Sequence, residues 1–220
     1  MIYLYHHLGL GDHIICNGLV RTLAENMTVK LLCKSSNYNN VFSMYKDQEM
    51  IDVISVSSDE EAAMICSKNS CLKSGSAVGG KIYPDAHWDE GFYRDLEIPF
   101  DNSWTKFYCD RNTEREDRAF NELTENKKYI FVHSTDSKQI DRVNWTEVKT
   151  NYKIVRPHKE YSFLDHCKII EKAEEIHCIN SSFIHLVDRL NVDTNRLFYH
   201  RNFKPNMHST FTLQKKWTIL

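Results

Sequence analysis

Segments of strand length and segments with helical spacing alternate along most of this chain, and this alternation constrains the fold more than any other feature. The apolar runs 3–7 and 51–56, for example, are each followed by a stretch whose apolar residues recur at helical intervals. Such alternation predicts a parallel sheet covered by helices. It is interrupted near residues 85–125 and then resumes. We therefore predict an α/β protein of two small Rossmann-like βαβ lobes that face a cleft.

The same patterns give bounds for the predicted elements and lobes. The predicted strands span 3–7, 29–33, 51–56, 81–83, 129–133, 153–155, 175–179 and 197–199, and the predicted helices span 13–26, 38–45, 59–67, 113–126, 163–173 and 181–190. The aromatic stretch 88–108 has little periodicity, and we interpret it as a packed connector between the lobes. The N-terminal lobe is predicted over 1–112, including this connector, and the C-terminal lobe over 113–220.

Composition excludes several classes of protein. With 41% hydrophobic residues, the chain of 220 residues can bury a core, and a net charge of -2 argues against a nucleic-acid binder, which normally carries a basic excess. No apolar run approaches the ~20 residues needed to span a bilayer, and no basic leader precedes an apolar stretch. We expect no transmembrane segment and no nucleic-acid partner.

The cysteines are odd in number and scattered, without paired CxxC spacing. This usage is typical of a reducing compartment, so we expect a cytoplasmic protein whose cysteines serve mainly as small buried apolar residues. Cys66 and Cys71 are close enough in sequence to form a disulfide or to share a metal, but one such pair without a second is weak evidence, and we predict neither.

The first candidate site is the run His6-His7-Leu8-Gly9-Leu10-Gly11-Asp12-His13, where the first strand turns into the first helix. Ligands of open α/β sheets bind at the carboxyl ends of strands. Asp12 suits a general base for an acceptor hydroxyl, and a simple helix cap is its alternative. The carboxylate would repel a phosphate, and Ile14 stands where a GxGxxG dinucleotide fingerprint needs glycine. The histidine spacing matches no metal pattern, so no metal is expected.

The second candidate site lies in residues 176–187, where a strand, a polar turn and an amphipathic helix follow one another. Asn180, Ser181 and Ser182 are good helix caps, and the backbone N–H groups behind them form a ready anion site. His185, on the first turn, is placed to reach the same ligand. An ordinary capped helix is the alternative interpretation.

Polar residues also follow other strands of the second half. His133 with Ser134, Arg142 and Arg156 are predicted at the carboxyl edge of that sheet. An arginine there can pair with a phosphate or carboxylate in a bidentate fashion. For each arginine alone, a surface salt bridge is the alternative.

The glycine-aspartate turn, paired with the late strand–turn–helix that carries His185, resembles the ADP-heptose:lipopolysaccharide heptosyltransferases and related GT-B enzymes. In that family the N-terminal Gly-Asp supplies the catalytic aspartate, and a late Asp-Thr/Ser-Gly-x-x-His turn binds the donor nucleotide-sugar. The resemblance matches Asp12 to the aspartate, His185 to the histidine, and Ser181 and Ser182 to the hydroxyl and glycine positions. It covers two short motifs and the βα order; Asn180 replaces the usual acidic residue, and the chain is shorter than a typical member.

The resemblance implies a glycosyltransferase that moves a hexosyl, pentosyl or deoxyhexosyl group from a nucleotide-diphosphate sugar to a hydroxyl of a glycan or other acceptor. It implies inverting displacement without a metal or other cofactor, with Asp12 as the base; we add His13 and His87 as catalytic candidates, and an oligomer is possible. The predicted donor-binding residues are Gly9, Gly11, His133, Arg142, Arg156, Asn180, Ser181, Ser182 and His185. Three alternatives stay open: a non-catalytic nucleotide-sugar-binding module, a Rossmann-type NAD or S-adenosylmethionine enzyme, and an interaction protein that uses 88–108.

Overall fold

The computed structural model describes residues 1–201 and 211–220, which form two compact units. Of the described residues, the first unit holds 1–110 with 211–212, and the second holds 111–201 with 213–220. Each unit is built on a sheet whose strands pair only in parallel. The structure therefore confirms the α/β class and the two parallel sheets.

The described part of the first unit contains four strands and six α-helices. They are β1 (Ile2–Tyr5), α1 (Leu10–Ile15), α2 (Asn17–Ala24), β2 (Val29–Lys34), α3 (Tyr38–Tyr45), β3 (Ile51–Val56), α4 (Asp59–Lys68), β4 (Cys71–Lys73), α5 (Trp88–Arg94) and α6 (Asn102–Thr105). The strands lie in the order β3-β2-β1-β4. Leu4, Leu31 and Leu32 in the central strands have no exposed surface, as expected where helices cover a parallel sheet.

The helix predicted over 13–26 is interrupted at Cys16, which lies between α1 and α2. The carbonyl oxygen of Ile15 accepts hydrogen bonds from the Tyr93 hydroxyl at 2.7 Å and the Ser103 hydroxyl at 2.8 Å. The Tyr93 oxygen in turn accepts from the Leu19 N–H at 3.2 Å. The aromatic stretch 88–108 thus satisfies the backbone groups that the break releases, and it belongs to the first unit.

The fourth strand lies elsewhere than predicted. It is Cys71–Lys73, paired with β1, whereas residues 81–83 form no strand. The Asp95 carboxylate accepts hydrogen bonds from the Lys81 N–H and the Tyr83 hydroxyl, and it holds that segment as a loop. A disulfide joins Cys66 to Cys71, a bond that the sequence analysis does not predict. The other five cysteines form no disulfide and are buried, as predicted.

The second unit contains five strands and three α-helices among the described residues. They are α7 (Thr113–Thr124), β5 (Tyr129–His133), β6 (Lys153–Val155), α8 (Cys167–Glu171), β7 (Glu175–Ile179), α9 (Ser182–Arg189), β8 (Leu197–His200) and β9 (Thr218–Ile219). The strand order is β6-β5-β7-β8-β9. The helix predicted over 163–173 is a short 3-10 turn followed by α8.

One hydrophobic cluster of the second unit contains two buried side chains of β5, Ile130 and Val132, which pack with Val143 and Ile179. The C-terminal segment is tied to the same unit through Asp188, whose carboxylate accepts from the backbone N–H groups of 214 and 215 and from the Trp217 indole. This buried carboxylate explains how a two-residue strand, β9, is held at the edge of the sheet.

Candidate functional site

In each sheet there is one pair of neighbouring strands at which the order of strands reverses, so that the chain leaves one strand toward one edge of the sheet and the other strand toward the opposite edge. In the first unit this switch lies between β1 and β4, and in the second it lies between β5 and β7. Ligands of open α/β sheets bind outside the carboxyl ends of the strands at such positions. The side chains that follow β1 and β7 are therefore the first candidates in each unit.

Just beyond β1, His7 and Asp12 form a close pair. The His7 Nδ1–H donates to Asp12 Oδ2 at 2.7 Å. The Asp12 side chain is 12% exposed, whereas the His7 side chain is 50% exposed. The hydrogen bond that His7 donates to Asp12 raises the pKa of His7 above its ordinary value, against the opposing effect of partial burial. Asp12 lies in the first turn of α1, whose N-cap is Gly9, so it does not cap the helix.

Gly9 provides the space in which this pair forms. Its backbone is extended, with φ -70° and ψ 144°, so the position does not require glycine for its conformation. A Cβ here would lie 2.4 Å from Asp12 Oδ2 and 3.2 Å from His7 Nδ1. Leu8, just before it, accepts a hydrogen bond at its carbonyl oxygen from the Asn37 side chain at 3.0 Å. Gly9 is thus needed for close approach, and Asn37 braces the turn.

The other two histidines of the run lie beneath the turn. His6 and His13 have no exposed surface, and their rings meet edge to face at 4.5 Å. Burial lowers the pKa of both, that of His13 to well below its ordinary value. We expect both to be neutral. His13, one of the predicted catalytic residues, has no surface through which a substrate would reach it in this conformation.

His87, the third catalytic candidate, is the exposed N-cap residue of α5. On the same helix, Phe92 packs edge to face on His6 at 6.0 Å and on Trp88 at 5.6 Å. The Ser74 hydroxyl at the end of β4 donates to the Phe92 carbonyl oxygen at 2.6 Å. Helix α5 is therefore fixed to the carboxyl edge of this sheet, and His87 stays a predicted site residue.

In the second unit, the structure brings His133 and Ser181 together. His133 ends β5, Ser181 follows β7, and the Ser181 hydroxyl lies 2.9 Å from His133 Nδ1. Burial lowers the pKa of His133 to about 4, so its ring is neutral near pH 7. Ser181 is the N-cap residue of α9, yet its side chain makes no cap hydrogen bond and turns to His133 instead. The first N–H groups of any helix have no partner within the helix.

The neighbouring candidates differ in exposure. Asn180 is exposed, and Ser182 begins α9 and is partly exposed. His185 is buried in α9, where burial lowers its pKa to about 3. Ser134, next to His133, is also buried, and it donates to Asp141 at 3.2 Å. The turn therefore presents Asn180, Ser181 and Ser182 at its surface, with His185 packed behind them.

The two predicted arginines occupy different settings. Arg142 Nε donates to the Asp136 carboxylate at 2.9 Å, and its backbone N–H donates to the Ser134 carbonyl oxygen. Arg156, exposed at the end of β6, lies over the Trp145 ring with its guanidinium carbon 4.7 Å from the ring centre. A cation held on an aromatic face keeps its hydrogen-bonding edge open for an anion.

In the described ranges, no group of three or more His, Cys, Asp or Glu side chains is arranged to hold a metal ion. In the same ranges, no helix combines the length and the apolar character that crossing a membrane requires.

Comparison with solved structures identifies the fold. The whole chain matches 86% of the chain in the crystal structure of the glycosyl transferase family 9 from Veillonella parvula DSM 2008, with a TM-score of 0.64 and 11% sequence identity. The chain has a GT-B-like fold. The resemblance that the two motifs predicted is confirmed at the level of the fold. No protein-family model matches the chain, and no curated protein matches it either.

Sequence reasoning singled out Asp12 and Ser181 but did not pair them with His7 and His133. His7 lies five positions before Asp12, a spacing that no catalytic pattern specifies. His133 and Ser181 are 48 positions apart and meet only because β5 and β7 are neighbours. A histidine at the last position of a predicted strand, as at 7 and 133, is the signal that would have found both.

Proposed function

We propose that this protein is a glycosyltransferase that moves a sugar from a nucleotide-diphosphate sugar to an acceptor hydroxyl, with inversion and without a metal. One observation carries the proposal. At the switch position of each sheet lie polar groups that suit one half of the reaction: the pair of His7 and Asp12, a candidate proton acceptor, in the first unit, and Ser181 at the N-terminus of α9, a candidate anion site, in the second. The GT-B-like fold shared with a glycosyl transferase family 9 structure supports it.

The second unit would bind the donor. Its diphosphate carries negative charge, which the N-terminus of α9 and two arginines, Arg142 and Arg156, can stabilise. When the neutral His133 ring carries its proton on Nδ1 and donates it to Ser181 Oγ, the Ser181 hydroxyl proton is available to a phosphate oxygen. Fixed donors of this kind also stabilise the charge that develops on a leaving diphosphate, without needing to reorganise.

The first unit would activate the acceptor. The pair of His7 and Asp12 supplies a base at the carboxyl end of β1. As the acceptor oxygen bonds to the anomeric carbon, the bond from that carbon to the diphosphate oxygen breaks, and the nucleoside diphosphate leaves with the electron pair. Attack from the face opposite the leaving group inverts the anomeric configuration.

Calorimetric titration of the purified protein with ADP, GDP, UDP and CDP, and with their sugar conjugates, tests the donor site. At least one nucleoside diphosphate is expected to bind, and Arg156→Ala and Ser181→Ala are each expected to weaken it on the order of 10-fold or more. The matched control is Arg118→Ala, because Arg118 is an exposed arginine paired with Glu122 on α7.

Three outcomes are informative. Binding of none of these compounds, or equal binding by all four proteins, would refute the donor site. Binding together with release of nucleoside diphosphate from a sugar conjugate supports a transferase. Binding without any release, with the full panel of conjugates and acceptor sugars, would favour a non-catalytic nucleotide-sugar-binding module.

A further inference from the structure

The two members of the pair beyond β1 are exposed to different degrees. Asp12 is buried to all but 12% of its side-chain surface, and its Oδ2 is engaged by His7 at 2.7 Å. The His7 ring is half exposed and uses Nδ1 for that bond. A carboxylate bonded to Nδ1 leaves Nε2 as the ring nitrogen that can receive a proton. The buried carboxylate therefore stands behind an imidazole whose other nitrogen is available.

The backbone is built around this pair. The absence of a side chain at Gly9 leaves the space that Asp12 Oδ2 occupies, 2.4 Å from where a Cβ would lie. Helix α1 begins at Leu10, directly after the extended Gly9, and this carries Asp12 back toward the end of β1. His6 Nδ1–H donates to the carbonyl oxygen of His7 at 2.8 Å and fixes the backbone from which the ring projects.

The charged and titratable groups around His7 come from three elements, α1, β2 and α4, and from the turn that follows β1. Asp12 on α1 and Asp59 on α4 favour the protonated ring, whereas Lys34 at the end of β2 disfavours it. His6 and His13 lie beneath, and burial lowers the pKa of each, so neither adds a charge near pH 7. Asp12 is the largest favourable influence, and the pKa of His7 is raised overall.

We propose that His7 Nε2, rather than Asp12, accepts the proton of the attacking hydroxyl, and that Asp12 is a positioning residue that orients the ring and stabilises the imidazolium. This inference rests on the proposed glycosyl transfer.

The step balances without any further reactant. The acceptor O–H bond breaks, its proton goes to His7 Nε2, and its oxygen forms the bond to the anomeric carbon. The bond from that carbon to the diphosphate breaks, and the electron pair leaves with the nucleoside diphosphate. The positive charge on the ring faces the Asp12 carboxylate, and the proton passes to water after the products leave.

Four variants and one matched control test the assignment in an assay of nucleoside diphosphate release from the sugar conjugate that the wild-type protein turns over. His7→Gln is expected to lower kcat on the order of 10²- to 10⁴-fold, the range for loss of a general base, with donor affinity unchanged. His7→Ala is expected to behave likewise and to regain activity with added imidazole. Asp12→Asn retains the proposed base, His7, but removes the carboxylate that orients its ring and stabilises the imidazolium. His158→Gln is the matched control, because His158 is a similarly exposed histidine beside a carboxylate, Glu160.

The fourth variant, Gly9→Ala, disturbs the pair and changes neither partner. Its Cβ would displace Asp12 Oδ2 from His7, so kcat is expected to fall without loss of the fold, because only the end of a side chain must move. In both Gly9→Ala and Asp12→Asn, the pKa of His7 is expected to fall, as measured by NMR titration of the ring. The acidic limb of the pH–rate profile, which requires the neutral ring, is then expected to move to lower pH.

The outcomes separate this inference from the proposed function. If the wild-type protein binds and turns over no donor, the transferase proposal fails and this one falls with it. If the wild-type protein is active but His7→Gln stays within about 10-fold of it, or imidazole rescues nothing, then Asp12 is the base and the inference is overturned while the function stands. Three results together support the inference: His7→Gln has low activity, imidazole rescues His7→Ala, and the acidic limb of the pH–rate profile follows the pKa of His7.

Discussion

The close approach of α2 and α6 at Gly18 gives the sharpest test of how the first unit is built. A Cβ on Gly18 would lie 1.8 Å from the Asn102 carbonyl oxygen and 2.7 Å from its carbon. Ordinary contact begins at 3.4 Å, so in Gly18→Ala the two backbones must separate by about 1.6 Å. The clash is with main-chain atoms and therefore cannot be relieved by a rotamer change.

The loss of folding stability in Gly18→Ala can be worked out from the contacts that this separation disturbs. Overpacking of a core costs ~1–3 kcal/mol. The same movement breaks two hydrogen bonds, from Ser103 Oγ to the Ile15 carbonyl oxygen and from Asn102 Nδ2 to Thr22 Oγ1, each worth ~1 kcal/mol. The better helix propensity of alanine returns ~1 kcal/mol. We expect Gly18→Ala to lower the free energy of unfolding by about 3 kcal/mol.

Urea unfolding followed by circular dichroism measures this change. Gly91→Ala is the matched control, because Gly91 is also helical but its Cβ would lie 3.6 Å from the Tyr83 ring, an ordinary contact. It is expected to be as stable as the wild-type protein or more stable by up to ~1 kcal/mol. Equal stability of Gly18→Ala and the wild-type protein would show that α6 does not pack on α2 in this way.

Two further predictions concern ionisable groups in the second unit. Arg111 holds the buried Glu116, so Arg111→Ala should lower the free energy of unfolding by about 2–3 kcal/mol, whereas the exposed Arg118→Ala should leave it unchanged within error; equal effects in urea unfolding would contradict this. Burial lowers the pKa of His177 and of His200 to about 4, so each binds its proton more weakly in the folded chain than in the unfolded chain. Stability should therefore fall between about pH 6.5 and 4, by up to ~1.4 kcal/mol per pH unit for each histidine, and a flat profile in urea unfolding would refute the burial of this pair.

Local patterns predicted the elements whose residues carry a clear period. The strands at 51–56, 129–133, 153–155 and 175–179 have the predicted bounds, because short apolar runs between polar turns select the extended conformation within the run itself. The α/β class follows from the alternation alone. The two turns at 12 and 181 were also visible, because polar residues directly after strands are local features.

Elements that depend on distant partners were not predicted. Cys16 interrupts the first helix because Tyr93 and Ser103 supply the hydrogen bonds that the break requires. The three-residue strand β4 forms by pairing with β1, and its own pattern is too short to identify it. In both cases the decisive contacts come from residues far away in the chain.

The sequence by itself determined where polar residues follow the strands, and so which residues lie at the carboxyl edge of each sheet. Only the tertiary structure decided which of them meet, because the order of strands in a sheet is not the order in the chain. The order β6-β5-β7 places Ser181 beside His133, and the space at Gly9 places Asp12 behind His7. A hydrogen bond requires a separation of about 3 Å, and spacing along a chain does not specify distances on that scale.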